Sequence, residues 1–377
     1  MVGRDMNGHE AIRVLQVVGK MNNAGVETVV MNYFRNIDRG RVLFDFIIDS
    51  DSKNPPVEEI ESLGGRAYIV PPYKSMLRYL FCVFKIIKEN KYKIVHSHLN
   101  TVSVFPLFAA FLAGADIRIA HNHSTAVRGE PKTVLKNVFK PFARIFATHY
   151  FACSEYAGRW LFGDRSVEKG NVAIINNAIN TDNFKFDEGV RNEVRHELGI
   201  EDKFVIGHVG RFVYPKNHEL LIDIFSEVYK LNNNAVLVLV GDGDLKEEAV
   251  KKVEHMRLKH AVRFLGNRMD SYRFYQGFDA FVLPSRYEGL PVVGLESQAS
   301  GVSCFYSSEI TDKVKVTDLV EFISLQKPAL YWAERILQAG RNARRSGYME
   351  QVGRAGYDIR REAGKLLNYY ADYTKLQ

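Results

Sequence analysis

Cysteine is scarce in this chain: Cys82, Cys153 and Cys304 are the only three in 377 residues, odd in number, far apart and set in apolar segments. That excludes a disulfide framework and a clustered zinc site, and it fits reduced core residues in a cytoplasmic protein. Long apolar runs are missing too. The longest, Val102 to Ala115, contains Pro106 and is too short to span a bilayer. Residues 1–18 hold no apolar signal core ahead of a processing site, and Ile12 to Val18 reads as a first strand, so neither secretion nor a transmembrane anchor is expected. Short repeats and low-complexity segments are absent as well. What remains is an ordinary globular composition, 46% hydrophobic and 25% charged, with material for two domain cores.

Acidic residues are locally scarce. Between Arg66 and Arg144 thirteen bases face three acids, Glu89, Asp116 and Glu130, an excess larger than the formal +7 of the whole chain. Nucleic acid would account for such charge, yet no recognised nucleic-acid motif accompanies it, and no nucleic-acid partner is expected. Lys74 to Lys88 and Lys132 to Arg144 mix Leu, Phe and Ile with bases as surface-lying helices do. An anionic membrane surface is therefore the alternative to a plain solvated face.

What is plentiful is short apolar or β-branched runs. Ile12–Val18, Phe44–Asp49, Arg66–Val70, Lys93–His96, Ile117–His121, His149–Ala152 and Val172–Ile175 are separated by segments long enough for crossover helices. A polar, turn-rich stretch, Asn176 to Asp182, follows, and then a second set: Phe204–Gly210, Ala235–Gly241, Val262–Leu265, Ala280–Pro284, Val302–Tyr306 and Val320–Leu325. Alternation of this kind argues an α/β fold of two doubly wound, Rossmann-like domains facing across a cleft, with ligands at the strand ends. Residues 1–180 form the first, 181–350 the second, and 351–377 a helical tail.

The chemistry gathers at those strand ends. In Phe281 to Gly301, FVLPSRYEGLPVVGLESQASG, an apolar strand stops at Pro284, Pro291 suits a first helical position, and Gly301 suits a helix stop. Gly289, Leu290 and the residues after Pro291 then offer backbone N–H groups to an anion. Glu288 and Glu296 frame this terminus; a carboxylate there is also what dipole compensation places at a helix start. Arg211 and Lys216, in GRFVYPKN after Gly210, put a guanidinium fork and an ammonium directly beyond another strand, as a diphosphate requires, although two solvated loop cations would read the same. After the first strand, Ala24-Gly25 opens a helix, and Gly25 can let a phosphate approach. His121 ends a strand and is followed by His123, while His96 and His98 stand at the end of the strand before it. A lone histidine there is more often structural than catalytic.

Glu288 and Glu296, spaced as E-x7-E with Gly-Leu-Pro between, together with the G-R-x-x-x-x-K run, resemble the retaining glycosyltransferases of family 4, and the likeness covers nearly the whole chain. It is nearest to bacterial enzymes of capsular and exopolysaccharide synthesis. The resemblance implies the GT-B fold and transfer of a sugar from a nucleotide-diphosphate donor, UDP-linked, to a hydroxyl of a glycan or polyprenyl-linked acceptor. It implies Arg211 and Lys216 on the diphosphate, Glu296 on the ribose and Glu288 on the sugar, with backbone near Arg268 at the base and His121 at the donor sugar. His98 and His123 fall to the acceptor side. Two departures stand out: Ala24 replaces one of the family's adjacent glycines, and Ser303 a proline. Asp242-Gly243-Asp244 invites comparison with metal-binding D-x-D sites but resembles the family's loop-shaping G-D-G turn, so no divalent cofactor is expected. A nucleotide-sugar epimerase of the same fold, or a non-catalytic nucleotide-sugar-binding subunit, would share much of this pattern. The tail is expected to cross back onto the first domain. The expected location is cytoplasmic, at the inner face of the membrane if the basic segments bind it.

Overall fold

The computed structural model describes residues 11–22, 25–123, 138–340 and 345–375. Within them the chain divides into two compact units, residues 1–178 with 359–377, and residues 179–358.

In the first unit seven strands run parallel: β1 (Ile12–Gly19), β2 (Val42–Asp49), β3 (Ala67–Val70), β4 (Ile94–Ser97), β5 (Ile117–Asn122), β6 (His149–Ala152) and β7 (Val172–Ile174), in the order β3-β2-β1-β4-β5-β6-β7. The second unit repeats the scheme with six: β8 (Phe204–Val209), β9 (Ala235–Val240), β10 (Val262–Gly266), β11 (Ala280–Leu283), β12 (Ser303–Ser307) and β13 (Val320–Ile323), ordered β10-β9-β8-β11-β12-β13. Every residue of β2 and of β9 is buried, as strands covered by helices on both faces must be. In each sheet the first strand pairs with both the second and the fourth. Strand order therefore reverses at β1/β4 and at β8/β11, and the loops leaving those strands diverge to opposite faces and open a crevice at the carboxyl edge.

The tail does not behave as one element. Residues 348–358 stay with the second unit, where Val352 is fully buried in its core. Gly356, at φ +93°, breaks the helix. Only the helix Ile359–Lys375 joins the first unit, packing Ala363, Leu366, Leu367 and Tyr370 against Val14, Phe44 and Phe151. The divide falls eight residues later than the pattern of charges suggested, because the left-handed turn needs the glycine and the amphipathic face begins after it.

A buried polar cluster holds the second unit together. The Asp279 carboxylate accepts from Arg191 Nη2 and Arg195 Nη2, both at 2.6 Å, and from the Val205 amide at 2.8 Å. Arg345, whose guanidinium donates to the carbonyls of Tyr275, Gln276, Phe278 and Ser300, lies close enough for burial and the neighbouring Arg191 to pull its pKa down to about 9. Asp279→Ala would leave these guanidinium groups buried without their carboxylate. We expect a loss of about 3–5 kcal/mol in urea unfolding of the second unit; a loss below about 1 kcal/mol would show that water reaches the cluster.

Candidate active site

The loop after β8 is set by glycines just beyond the neighbouring strand β9. Gly241 and Gly243 sit at φ +139° and +154°, and a Cβ on them would lie 2.1 Å from the Gly210 carbonyl oxygen and 2.6 Å from that of Phe212. Phe212 donates its amide to the Asp242 carbonyl and accepts from Leu245, both at 3.0 Å. Asp242-Gly243-Asp244 is thus a buttress for the Arg211 loop. Gly210 itself leaves room for the Lys216 stem, since a Cβ there would meet Lys216 Cε at 3.3 Å.

On this support Arg211 is exposed, and its guanidinium has no partner among the described residues. Lys216 is different. Its ammonium donates to both oxygens of Glu288, at 2.9 and 2.8 Å, and Ser285 Oγ donates to the same carboxylate at 2.5 Å. Both partners are 15% exposed. Glu288 is therefore the counter-ion of Lys216. Two cross-loop bonds brace the pair, from the Arg286 amide to the Pro215 carbonyl at 2.7 Å and from Asn217 Nδ2 to the Pro284 carbonyl at 3.0 Å.

Beyond Pro291 the helix Val292–Ala299 begins one residue later than the proline suggested: Pro291 is extended and caps the helix. The amides of Gly289 and Leu290 find no acceptor among the described residues, and a Cβ on Gly289 would touch nothing within 4 Å. Glu296 is partly buried and accepts from the fully buried Tyr275 hydroxyl at 2.6 Å. Burial raises its pKa, while Tyr275 and the nearby Lys216 act the other way. One carboxylate oxygen is tied inward. Arg268 is also engaged, donating to Asp270 at 2.8 and 2.9 Å and lying over the Phe274 ring. Its side chain serves that acid, which it holds well below the usual carboxylate range, and reaches Glu197 at 3.4 Å.

The first unit contributes a histidine cluster where β4 and β5 end. His96 and His121 join through Nε2 and Nδ1 at 3.0 Å, and His98 and His123 through Nδ1 and Nε2 at 2.8 Å. Gln16, from the middle of β1, reaches His98 Nε2 at 2.8 Å, and Tyr370, from the C-terminal helix, reaches His96 Nδ1 at 2.6 Å. Burial pulls the pKa of all four histidines down, that of His123 to about 4 with Asn177 acting against the shift. They line a cavity of about 10 Å³, room for roughly one water molecule. His98 has both ring nitrogens bonded and cannot also face an acceptor, which corrects that expectation. The ligand atoms of His96, His98 and His121 lie within 4.8 Å of one another, but five of their six ring nitrogens are already hydrogen bonded, so the set does not fit a metal ion. Gly25 opens the helix Gly25–Asn36 at φ +35° with nothing within 4 Å of its missing side chain; Ala24 lies outside the described residues.

Reading by motif missed Gln16, Asn217, Tyr275 and Tyr370. Gln16 had a signal, a lone amide inside the apolar strand IRVLQVVG. The tyrosines had none.

The family model described as Glycosyl transferases group 1 matches residues 190–315, and that described as Glycosyltransferase Family 4 matches residues 23–183. "Putative glycosyltransferase EpsF" of Bacillus subtilis (strain 168) is 37% identical over 95% of this chain and 96% of its own length. An Escherichia coli UDP-Gal:alpha-D-GlcNAc-diphosphoundecaprenol alpha-1,3-galactosyltransferase is 27% identical over 80% of each. Among solved structures, Anabaena HepE in complex with UDP and glucose superposes with a TM-score of 0.78 over 96% of this chain and 99% of its own, at 17% identity. Two parallel-sheet units, cations and bare amides at the strand ends of one, and matches to these two family models over most of the chain's length lead to one conclusion: the chain belongs to the family 4, group 1 glycosyltransferases, and its fold is GT-B.

Proposed function

We propose that this enzyme transfers a hexosyl or N-acetylhexosaminyl residue from a UDP-sugar to a hydroxyl of a glycan or polyprenyl-linked acceptor in surface polysaccharide synthesis, with retention and without a divalent metal. The observation that carries this is the second unit's anion site, where an unpartnered guanidinium, a lysine braced by Glu288 and two bare amides lie on the loops of adjacent strands β8 and β11. In transfer the bond from C1 to the β-phosphate oxygen breaks as C1 bonds the acceptor oxygen on the same face, and the acceptor proton passes to the departing diphosphate. Charge grows on that diphosphate, so Arg211, Lys216 and the amides of Gly289 and Leu290 stabilise the transition state more than the ground state. Glu296 takes the ribose hydroxyls and His121 a sugar hydroxyl. The HepE complexes with UDP and UDP-glucose and the undecaprenol-linked substrate of the E. coli relative support the choice of donor and acceptor class. Purified protein given a panel of nucleotide sugars and membrane lipid extract should release UDP and label a glycan or lipid, equally with and without chelator, and the new linkage should keep the donor's anomeric configuration. Release of UDP with a rearranged free sugar, or loss of turnover with chelator, would overturn it.

The same proposal places the protein at the cytoplasmic side of an anionic membrane. No helix among the described residues is long and apolar enough to cross one. On the helix Met76–Asn90, however, Leu77 and Phe81 are 84% and 66% exposed, and Arg78, Lys85 and Lys88 share their face, with Lys74 just ahead. Arg128, Lys132 and Lys136 of the second basic stretch lie outside the described residues. Sedimentation with anionic vesicles should fall at least tenfold for Leu77→Asp with Phe81→Asp; equal binding to neutral vesicles would remove the charge argument.

A further inference from the structure

Glu296 is aimed by a buried phenol. Tyr275 lies on the short helix Ser271–Gly277 with none of its surface exposed, and its ring sits among those of Phe184, Phe278 and Phe281, at centroid distances of 5.6, 5.7 and 5.5 Å. Its backbone carbonyl accepts from the buried Arg345 guanidinium at 2.9 Å. Ring and backbone are both held, so the hydroxyl cannot swing. Burial and the neighbouring Glu296 carboxylate push the pKa of that hydroxyl well up, so it keeps its proton and donates it to Glu296 Oε2 at 2.6 Å. Among the described residues no other hydrogen bond reaches the carboxylate.

The helix that carries Glu296 is pinned separately. The Gly294 carbonyl accepts from Tyr306 Oη and Gln298 Nε2, both at 2.7 Å, and a Cβ on Gly294 would lie 2.9 Å from Val314 Cγ2. Loss of the Tyr275 hydroxyl would therefore free the glutamate side chain and leave the helix Val292–Ala299 where it is. Lys216, from the loop after β8, is the charged group that acts on Glu296, and its ammonium is already engaged by Glu288. We propose that Tyr275 is a positioning residue that ties Glu296 Oε2 inward and so presents Oε1 as the acceptor for the two adjacent ribose hydroxyls of the donor nucleotide. One carboxylate oxygen has lone pairs enough for both hydroxyls of the diol. A carboxylate clamped at its other oxygen meets them without first giving up rotational freedom, which is what pre-organisation adds to affinity. The clamp is a property of the chain alone; only the identity of the ligand rests on the function proposed above.

Tyr275→Phe keeps the ring and removes the hydroxyl. The Kd for UDP should rise about tenfold, as expected for one lost hydrogen bond to a charged group, while the Kd for dideoxy-UDP, whose sugar ring lacks the diol, should stay within about twofold of the unaltered chain's. KM for the sugar donor should follow the UDP affinity and kcat should hardly change. Equal losses for both nucleotides would mean a general loosening of the site and would refute the assignment. In a Glu296→Ala background there is no carboxylate to aim, so Tyr275→Phe should weaken UDP binding no further. A second loss of the same size there would also refute it. Carboxyl-carbon NMR of the full chain with labelled glutamate, the Glu296 signal assigned through Glu296→Gln, reads the clamp without any nucleotide. Tyr275 and Lys216 hold the Glu296 pKa down against burial, so Tyr275→Phe should move its titration to higher pH. On acidification the preference of this variant for UDP over dideoxy-UDP should then be lost at a higher pH than in the unaltered chain. An unmoved titration would overturn the clamp. If the unaltered chain binds the two nucleotides equally well, the ribose reading fails while the carbon spectra still decide the clamp.

Discussion

Replacing Arg211 by alanine is expected to cut turnover at least a hundredfold while leaving the melting curve where it was. The two halves of that expectation have separate causes. Arg211 is exposed and unpartnered among the described residues, so the folded state spends nothing on holding it. The transition state does use it under the proposed function: one well-placed donor to a developing oxyanion is worth about 3 kcal/mol, which is roughly a hundredfold in rate. Arg211→Lys should recover only part of the loss, because an ammonium cannot present the planar fork that grips two phosphate oxygens. The measurement is kcat at saturating donor beside thermal unfolding of each variant. A drop of less than tenfold would show that the departing group is gripped elsewhere.

Lys216 would be a poorer probe. Removing it leaves the Glu288 carboxylate, 15% exposed, with Ser285 alone, so stability and rate would fall together. Its pairing does not disqualify it as a phosphate ligand. An ammonium has three donors and Glu288 takes two, so one remains, and the carboxylate keeps the lysine pointed before any ligand arrives.

This arrangement marks where the sequence stops being legible. The strands could be read because each is a short apolar run buried on both faces: β6 lies at His149–Ala152 as expected, and β9 ends one residue before its forecast. That Arg211 and Glu288 stand in loops just beyond strands could be read because the apolar runs before them end so clearly. Their relation could not. Lys216 and Glu288 are 72 residues apart and meet because the first and fourth strands of the sheet are neighbours, which no local pattern records. Gln16 and Tyr370 are 354 residues apart and meet because the final helix returns to the first unit. Where the reading erred, at Pro291, His98 and the tail, it had assigned a residue by local type while a distant contact decided its role.

The first unit should be the acid-labile half of the protein. Its four buried histidines have pKa values lowered by burial, whereas in the unfolded chain each titrates near 6.5. Below about pH 6.5 the unfolded chain takes up protons that the folded one refuses. Their contribution to stability is therefore complete above that pH and drains away as pH falls toward the folded values, about 4 for His123. Each proton is worth about 1.4 kcal/mol per pH unit, so four together approach about 5.5 kcal/mol per unit well below pH 6.5, enough to consume a typical domain's stability within about two units. Asp49 works in the opposite sense. Burial and Asp51 raise it to about 6, so acidification from there toward 4 favours the folded state, but it is one group against four. In the second unit His208 and His218 are likewise lowered, which gives about half the slope. The chain's two tryptophans fall one in each unit, so fluorescence can follow them separately: Trp332→Phe leaves Trp160 to report the first, and Trp160→Phe leaves Trp332 to report the second. In urea titrations from pH 7 to pH 5 the Trp160 midpoint should fall steeply and the Trp332 midpoint by less. Parallel, shallow shifts would mean that protons reach the imidazoles in the folded state.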